Sequence, residues 1–491
     1  MRGQAMLKQS SIFLLTVIFC GLSATAAPRN VVLFVTDDQS PDAGCYGNLA
    51  ARTPHLDRLA TEGVLMSSAF CTTASCSASR SVILTGQYNH ATGQYGHQHS
   101  YHHFRTYNGI RSLPVRLNSA GYRTCRIGKY HVGPEQVYKF ETVLKANSRS
   151  PVEMANKCRP FLNAADKRPY FLYFCTSDPH RGGGTVKAPY GPNAFGNRPF
   201  GFPGVEPIKH DPSRVFVHDF LPDTPVCRAE LAQYYQSVSR IDQGLGRLIK
   251  LIKESGTYDK TMIIFTSDHG IAFPGAKTTL YEGGMRIPMV IRNPYGRRDG
   301  KPCNAMVTLA DLTPTILDFA RAKPKQPARA KRPKGKRKRR RTGPSNVLHG
   351  RSFLSALESI NPRGWDEVHA SHTFHEITMY YPMRVVRTRR YKLIWNLAHQ
   401  LPYPFASDLW AAPTWQDIYR QGMSAKYGKR TVKAYIHRAK FELYDLVEDP
   451  HEVKNLAASP KHATRLKRLK EKLKAFQQRT RDPWILKWRY E

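Results

Sequence analysis

The sequence predicts an α/β fold: a mainly parallel sheet sandwiched by helices, with a smaller C-terminal α+β subdomain. Three observations predict it. Three short apolar runs, rich in β-branched and aromatic residues, each end in an acidic cluster. Helical patterns separate those runs, and alternating strands and helices favour a parallel sheet covered on both sides. Finally, 491 residues with 41% hydrophobic side chains are enough for one large core plus a smaller one. The same composition excludes wholesale disorder, a collagen-like chain and a small disulfide scaffold.

In chain order, Arg2 and Lys8 precede an apolar run from Ile12 to Leu22, followed by Ala24-Thr25-Ala26. A basic start, a short apolar run and an A-x-A end read as a signal peptide over 1–26, so export to the periplasm or medium is expected. The run is too short to span a bilayer as a helix, and no later stretch could do so. The first buried-strand run, Asn30 to Val35, ends in Thr36-Asp37-Asp38. The second, Tyr170 to Phe174, ends in Cys175-Thr176-Ser177-Asp178-Pro179-His180. The third, Thr261 to Phe265, ends in Thr266-Ser267-Asp268-His269-Gly270. Continuous apolar runs suit strands buried on both faces. Helical patterns cover Thr53 to Gly63, Ser112 to Gly121 and Arg228 to Ser255. Ligands of parallel sheets bind outside the carboxyl ends of the strands, so three acidic strand ends read as one site.

A catalytic domain is therefore expected over 27–320, interrupted by a basic insertion at 321–345 and completed, with the α+β subdomain, by 346–491. Between Arg321 and Arg341 lie thirteen Lys and Arg and no Asp or Glu, about a third of the formal excess of +38. Such a run cannot bury apolar area and is expected to be solvated. With an export signal, it reads as a tolerated loop or an attachment to anionic glycan rather than a nucleic-acid site. The remaining basic excess still favours polyanionic partners. Beyond the insertion, Met383 to Arg387 and Tyr391 to Trp395 read as a hairpin, Phe441 to Leu446 as a strand, and His462 to Gln478 as an amphipathic helix. Eight cysteines follow Cys20 without any C-x-x-C spacing, so zinc ribbons and thioredoxin-type sites are unsupported.

Asp37, Asp38 and Asp268 offer three hard oxygen ligands from two strand ends, with His269 as a nitrogen donor; this set suits Ca2+ or Mg2+ rather than zinc. Helix capping is the alternative for an Asp-Asp pair. Ser75-Cys76-Ser77-Ala78-Ser79-Arg80-Ser81-Val82-Ile83-Leu84-Thr85-Gly86 suggests a helix starting near Cys76. There the helix dipole would polarise the thiol, and Arg80, four residues on, would share its face. A small buried cysteine is the alternative.

These residues resemble the signature of the type I sulfatases, C-x-P/A-x-R followed by T-G, and the resemblance runs from Asn30 to about Trp484. It includes Phe441-Glu442-Leu443-Tyr444-Asp445 and Asp449-Pro450-His451-Glu452. Within that family the chain is most similar to the sulfamidases, which are heparan N-sulfatases. The blocks that carry this are Gly93 to Phe104, Ile127 to Glu135, Asp178-Pro179-His180-Arg181 and His375 to Arg384. His269 departs from them, since sulfamidases usually have Asn there.

The resemblance implies an alkaline-phosphatase-like sulfatase fold, Cys76 converted to formylglycine, and Ca2+ held by Asp37, Asp38, Asp268 and His269. It further implies Asp268 as base for the attacking hydroxyl and Arg80 as its stabiliser. Lys129 and Lys277 would clamp the sulfate, His180 would protonate the leaving atom, and His131 would help collapse the covalent sulfate ester. Asp178, His375, Glu376 and Arg384 are the expected sugar contacts. Ala78 points to a radical-type formylglycine-generating maturase as partner, and the family implies a homodimer. The expected activity is removal of N-linked sulfate from terminal glucosamine of heparan-type glycans. An O-sulfatase for another sulfated polysaccharide and a non-catalytic polyanion binder are the alternatives.

Overall fold

Seven consecutive buried residues put Asn30–Thr36 at the centre of an eight-stranded sheet. The computed structural model describes residues 29–182, 195–297, 299–322 and 345–490. The signal peptide read at 1–26 and nearly all of the basic insertion read at 321–345 lie outside these. Across the sheet the strands are Thr142–Leu144, Arg123–Gly128, Tyr170–Cys175, Asn30–Thr36, Thr261–Ser267, Met289–Arg292, Val64–Met66 and Pro302–Cys303. The first five are parallel, and Met289–Arg292 runs antiparallel to both its neighbours. The three apolar runs of the sequence are thus adjacent central strands.

Side chains alternate across the central strand. Val32 and Phe34 face one layer, where Phe34 stacks on Phe174 and Phe265 at ring-centroid distances of 4.7 and 5.3 Å. Ile241, Leu245, Leu248 and Ile252 of the 30-residue helix Pro225–Glu254 cover that layer. Val31, Leu33 and Val35 face the other layer, with residues from Cys76–Thr85, Leu113–Ser119 and Leu312–Phe319. Each such side chain, fully buried, contributes about 1.5–3 kcal/mol. The three helices read from the sequence begin with proline in the first turn, at Pro54, Pro114 and Pro225, where its missing N–H costs nothing.

The C-terminal part adds an antiparallel sheet ordered Glu367–His372, Met383–Thr388, Tyr391–Asn396, Phe441–Asp445. The expected hairpin is present, pairing Val385 with Ile394. Met383, Val385 and Ile394 pack with Trp415 and Tyr435. On the opposite face, Val386, Leu393 and Trp395 join Leu469, Leu473 and Phe476 of the helix Ala463–Thr480. All eight described cysteines are free. Among the described residues no helix is long and apolar enough to cross a membrane.

Register decides where the site forms. Thr36 pairs with Ser267, and Gly128 with Cys175, so the four central parallel strands end at one level. Gly128 has φ 83°, and a Cβ there would lie 2.0 Å from the Cys175 carbonyl oxygen; glycine alone fits.

Candidate active site

The loops leaving these strands carry most of the polar groups named from the sequence. Asp37 and Asp38 follow Thr36, Asp268 and His269 follow Ser267, Lys129 and His131 follow Gly128, and Asp178 and His180 follow Cys175. Backbone bonds lock the loops together. The Asp268 N–H donates to the Thr36 carbonyl at 3.2 Å, that of Asp37 to Asp178 at 3.0 Å, and that of Lys129 to Cys175 at 2.8 Å. Asp38 takes φ 62°, which turns its N–H onto Asp268 Oδ1 at 3.0 Å.

Cys76 opens the helix Cys76–Thr85, whose ten residues are all buried. Its Sγ lies 3.6 Å from Asp38 Oδ1 and 3.3 Å from His269 Nε2. Arg80, one turn on and fully buried, donates from Nε to Asp268 Oδ2 at 3.0 Å, from Nη2 to Asp37 Oδ1 at 3.1 Å and from Nη1 to the Lys129 carbonyl at 3.0 Å. Lys129 Nζ donates to Asp37 Oδ2. Lys277 Nζ donates to Asp38 Oδ2 at 3.0 Å and lies 3.0 Å from His180 Nε2. Three buried carboxylates thus face three cations around one thiol.

The expected polarisation of that thiol does not survive the environment. Burial pushes the Cys76 thiol well above its ordinary pKa, and Asp37 and Asp38 add to this against Lys129 and Lys277. The helix dipole is too weak to compete. An unmodified Cys76 is therefore a protonated, poor nucleophile at neutral pH. Burial also opposes charge on Asp37, but Lys129 and Arg80 outweigh it and hold the carboxyl well below the usual range. Burial lifts the Asp268 carboxyl to about 6 against the pull of Arg80. His180 is driven well below the ordinary histidine range by burial and then Lys277, and His131 by burial and then Lys129. Both rings are neutral in this arrangement.

Residues 29–322 match the sulfatase family. The chain belongs to the sulfatase family. It is 40% identical over 479 residues to human N-sulphoglucosamine sulphohydrolase, covering 94% of this chain and 92% of that one. An ulvan-active sulfatase of Formosa agariphila is 28% identical over 463 residues, covering 92% and 79%. Among solved structures, one in complex with its substrate D-glucosamine-2-N,6-O-disulfate superposes with TM-score 0.63 at 20% identity, covering 93% of this chain and 99% of that one. The alkaline-phosphatase-like sulfatase fold follows from these likenesses together with the mainly parallel sheet.

Sulfatases use formylglycine and a divalent metal, and the donor set here fits a hard cation. Asp37 and Asp38 cluster with Cys76 and His180, Asp268 and His269 cluster with the same Cys76, and His269 Nε2 lies 3.0 Å from Asp38 Oδ1. Oxygen-rich sets of this kind suit Ca2+ or Mg2+.

Three of the expected sugar contacts are placed elsewhere in this sulfatase. Arg384 is fully buried, with Nη2 on Asp482 Oδ1 at 2.9 Å and Nη1 on the His372 carbonyl at 2.8 Å, so no donor faces the site. The carboxylate of Asp178 is fully buried and saturated by Arg149 and Arg240, both at 2.7 Å. His375 is buried between the Ser75 hydroxyl at 3.0 Å and His97 Nε2 at 2.9 Å, and so holds the residue that precedes the Cys76 helix. Glu376 stays partly exposed, with Oε1 accepting from Ser407. Sequence reasoning missed Asp408, whose Oδ2 lies 2.7 Å from Lys277 Nζ, and Arg149, which also donates to the His180 carbonyl at 3.2 Å. Neither sits in a motif; only the folded chain brings them in.

Proposed function

We propose that the chain is an exported sulfohydrolase that removes N-linked sulfate from the terminal glucosamine of heparan-type glycans. The observation that carries the reading is the placement of Cys76 Sγ among Asp37, Asp38, Asp268 and His269, opposite Arg80, Lys129 and Lys277. The human relative that bears this activity in its name shares 40% of its residues across nearly the whole chain. Cys76 is read as the formylglycine precursor, matured by an enzyme that accepts Ala78. Asp37, Asp38, Asp268 and His269 are read as the Ca2+ ligands.

When present, the metal supplies Lewis-acid stabilisation of the sulfate charge, and formylglycine supplies a hydrated aldehyde as nucleophile. The side chains do the rest. Arg80 fixes Asp37 and Asp268 from behind and orients Asp268 as the base. Lys129 and Lys277 pair with the carboxylates around Cys76, and each can turn from its carboxylate to a sulfate oxygen. His180 is partly exposed beside Lys277. An arriving sulfate favours the imidazolium there, which lets His180 protonate the leaving nitrogen. His131, neutral in the resting site, takes the proton whose removal expels sulfate.

The deciding experiment is sulfate release from matched N-sulfated and 6-O-sulfated glucosamine in the presence of Ca2+. The protein is coexpressed with a maturase, and peptide mass confirms formylglycine at position 76. Release from the N-sulfated sugar alone, abolished in Cys76→Ala, is expected. Release from the O-sulfated sugar alone would overturn the substrate assignment.

A further inference from the structure

Beside the carboxylate pocket, three imidazoles converge. One ring nitrogen from each of His97, His99 and His131 lies within 4.8 Å of the other two. The ring centroids stand 4.6 to 5.0 Å apart, and His99 Nδ1 is 2.5 Å from His131 Nε2. His97 Nδ1 and His131 Nδ1 are buried without a hydrogen-bond partner. No carboxylate pairs with any of the three among the described residues. Burial lowers all three below the ordinary histidine range, so each ring is neutral at neutral pH and has one nitrogen lone pair to offer.

We propose that His97, His99 and His131 bind a borderline divalent cation, Zn2+ or one of similar chemistry, at the rim of the active site, and that its binding arrests turnover by occupying His131. Imidazole prefers such ions, whereas a hard Ca2+ stays with the carboxylates. Three histidines and an open position make a familiar zinc coordination. Tetrahedral ligands at 2.0–2.1 Å from zinc sit about 3.3 Å apart, so the short His99–His131 contact must open by less than about 1 Å. His99 is exposed and free to make that swing. His97 is anchored through Nε2 to His375, which leaves its unpartnered Nδ1 as the ligand atom. Lys129 and Lys277 oppose a dication here, but Asp37 and Asp38 already neutralise them.

The test compares full-length, formylglycine-bearing protein with its His99→Ala variant, both saturated with Ca2+ and titrated with Zn2+ by calorimetry. Circular dichroism checks that the variant is folded. The parent protein is expected to bind one more equivalent of Zn2+, and Co2+ in its place should give visible d–d absorption that the variant lacks. Zinc taken up by the carboxylates and His269 around position 76 is the same in both proteins and cancels. Equal uptake would overturn the site. The arrest rests on the catalytic role proposed for His131. It is expected as inhibition of sulfate release whose half-point moves at least about tenfold upward in His99→Ala. Uptake without inhibition would overturn the arrest. The binding arm needs no substrate, so its failure is distinct from a failure of the substrate assignment.

Discussion

Lys277 is held by two parts of the chain that are far apart in sequence. Its ammonium meets Asp38 at 3.0 Å and Asp408, in the short helix Ser407–Trp410, at 2.7 Å. Burial works against the charge, but Asp38 and Asp408 together keep Lys277 well above the ordinary lysine range. Asp408→Asn removes one of the two anions. A hydrogen bond to a charged group is worth about 1.5–3 kcal/mol, so kcat/KM should fall about 10- to 100-fold while the melting temperature barely moves. Unchanged kinetics would mean that Asp38 positions Lys277 alone. Residues of this kind mark the limit of sequence reading. Cys76 and Arg80 are legible because helical spacing puts them on one face, and the acidic strand ends because each follows an apolar run. Asp408 lies in a turn-rich stretch without period, and nothing local says that it reaches a lysine 131 positions earlier.

At the scale of elements, Arg384 shows how a polar residue in a strand misleads. Met383-Arg384-Val385-Val386-Arg387 was legible as one strand of a hairpin, and in the fold Met383 and Val385 share one core and Val386 the other. What could not be read was the partner of Arg384, because Asp482 lies just beyond the helix Ala463–Thr480. The buried pair ties the C-terminal sheet to the end of that helix. Burial opposes charge on Asp482, yet Arg384 outweighs it and pulls the carboxyl well down. Arg384→Met strands a buried carboxylate and should cost about 3–5 kcal/mol, read as a lower denaturant midpoint, with kcat of the folded fraction unchanged. Replacing both partners, Arg384→Met with Asp482→Leu, should recover much of that loss. A comparable fall in kcat would restore a sugar-binding role for Arg384.

At the scale of the molecule, the layered plan was legible from the alternation of apolar runs and helical patterns, and the order of the strands was not. Pairing of Tyr391–Asn396 with Phe441–Asp445 crosses a long excursion that no local pattern announces. The same C-terminal assembly sets the response to acid. His90, His369 and His372 are each lowered to about 3, chiefly by burial. His90 Nε2 is 2.9 Å from the Thr480 hydroxyl, and His369 stacks on Phe476 at 4.3 Å, so two of them support the C-terminal helix. A histidine with a depressed folded pKa favours the native state fully above its unfolded value near 6.5, and that stability is lost as pH falls from 6.5 toward 3. Three such groups give a slope of about 4 kcal/mol per pH unit once below about pH 6. Urea unfolding at pH 7, 6 and 5 checks this, and His369→Phe should flatten the slope by about a third. A stability independent of pH over that range would refute it.

The lysines proposed to clamp sulfate are also the counterions of two of the carboxylates proposed to hold the metal, Lys129 on Asp37 and Lys277 on Asp38. Neither ligand can therefore be accommodated without disturbing the groups that serve the other. A cation arriving alone must compete with two ammonium groups, and an anion arriving alone must strip two carboxylates of their balance. Together they exchange partners without leaving a buried charge exposed. Thermodynamic reciprocity then requires that each tighten the other by the same factor. On the proposed function the pocket is a receptor for an ion pair, and its affinity for a sulfated sugar is inseparable from its cation occupancy.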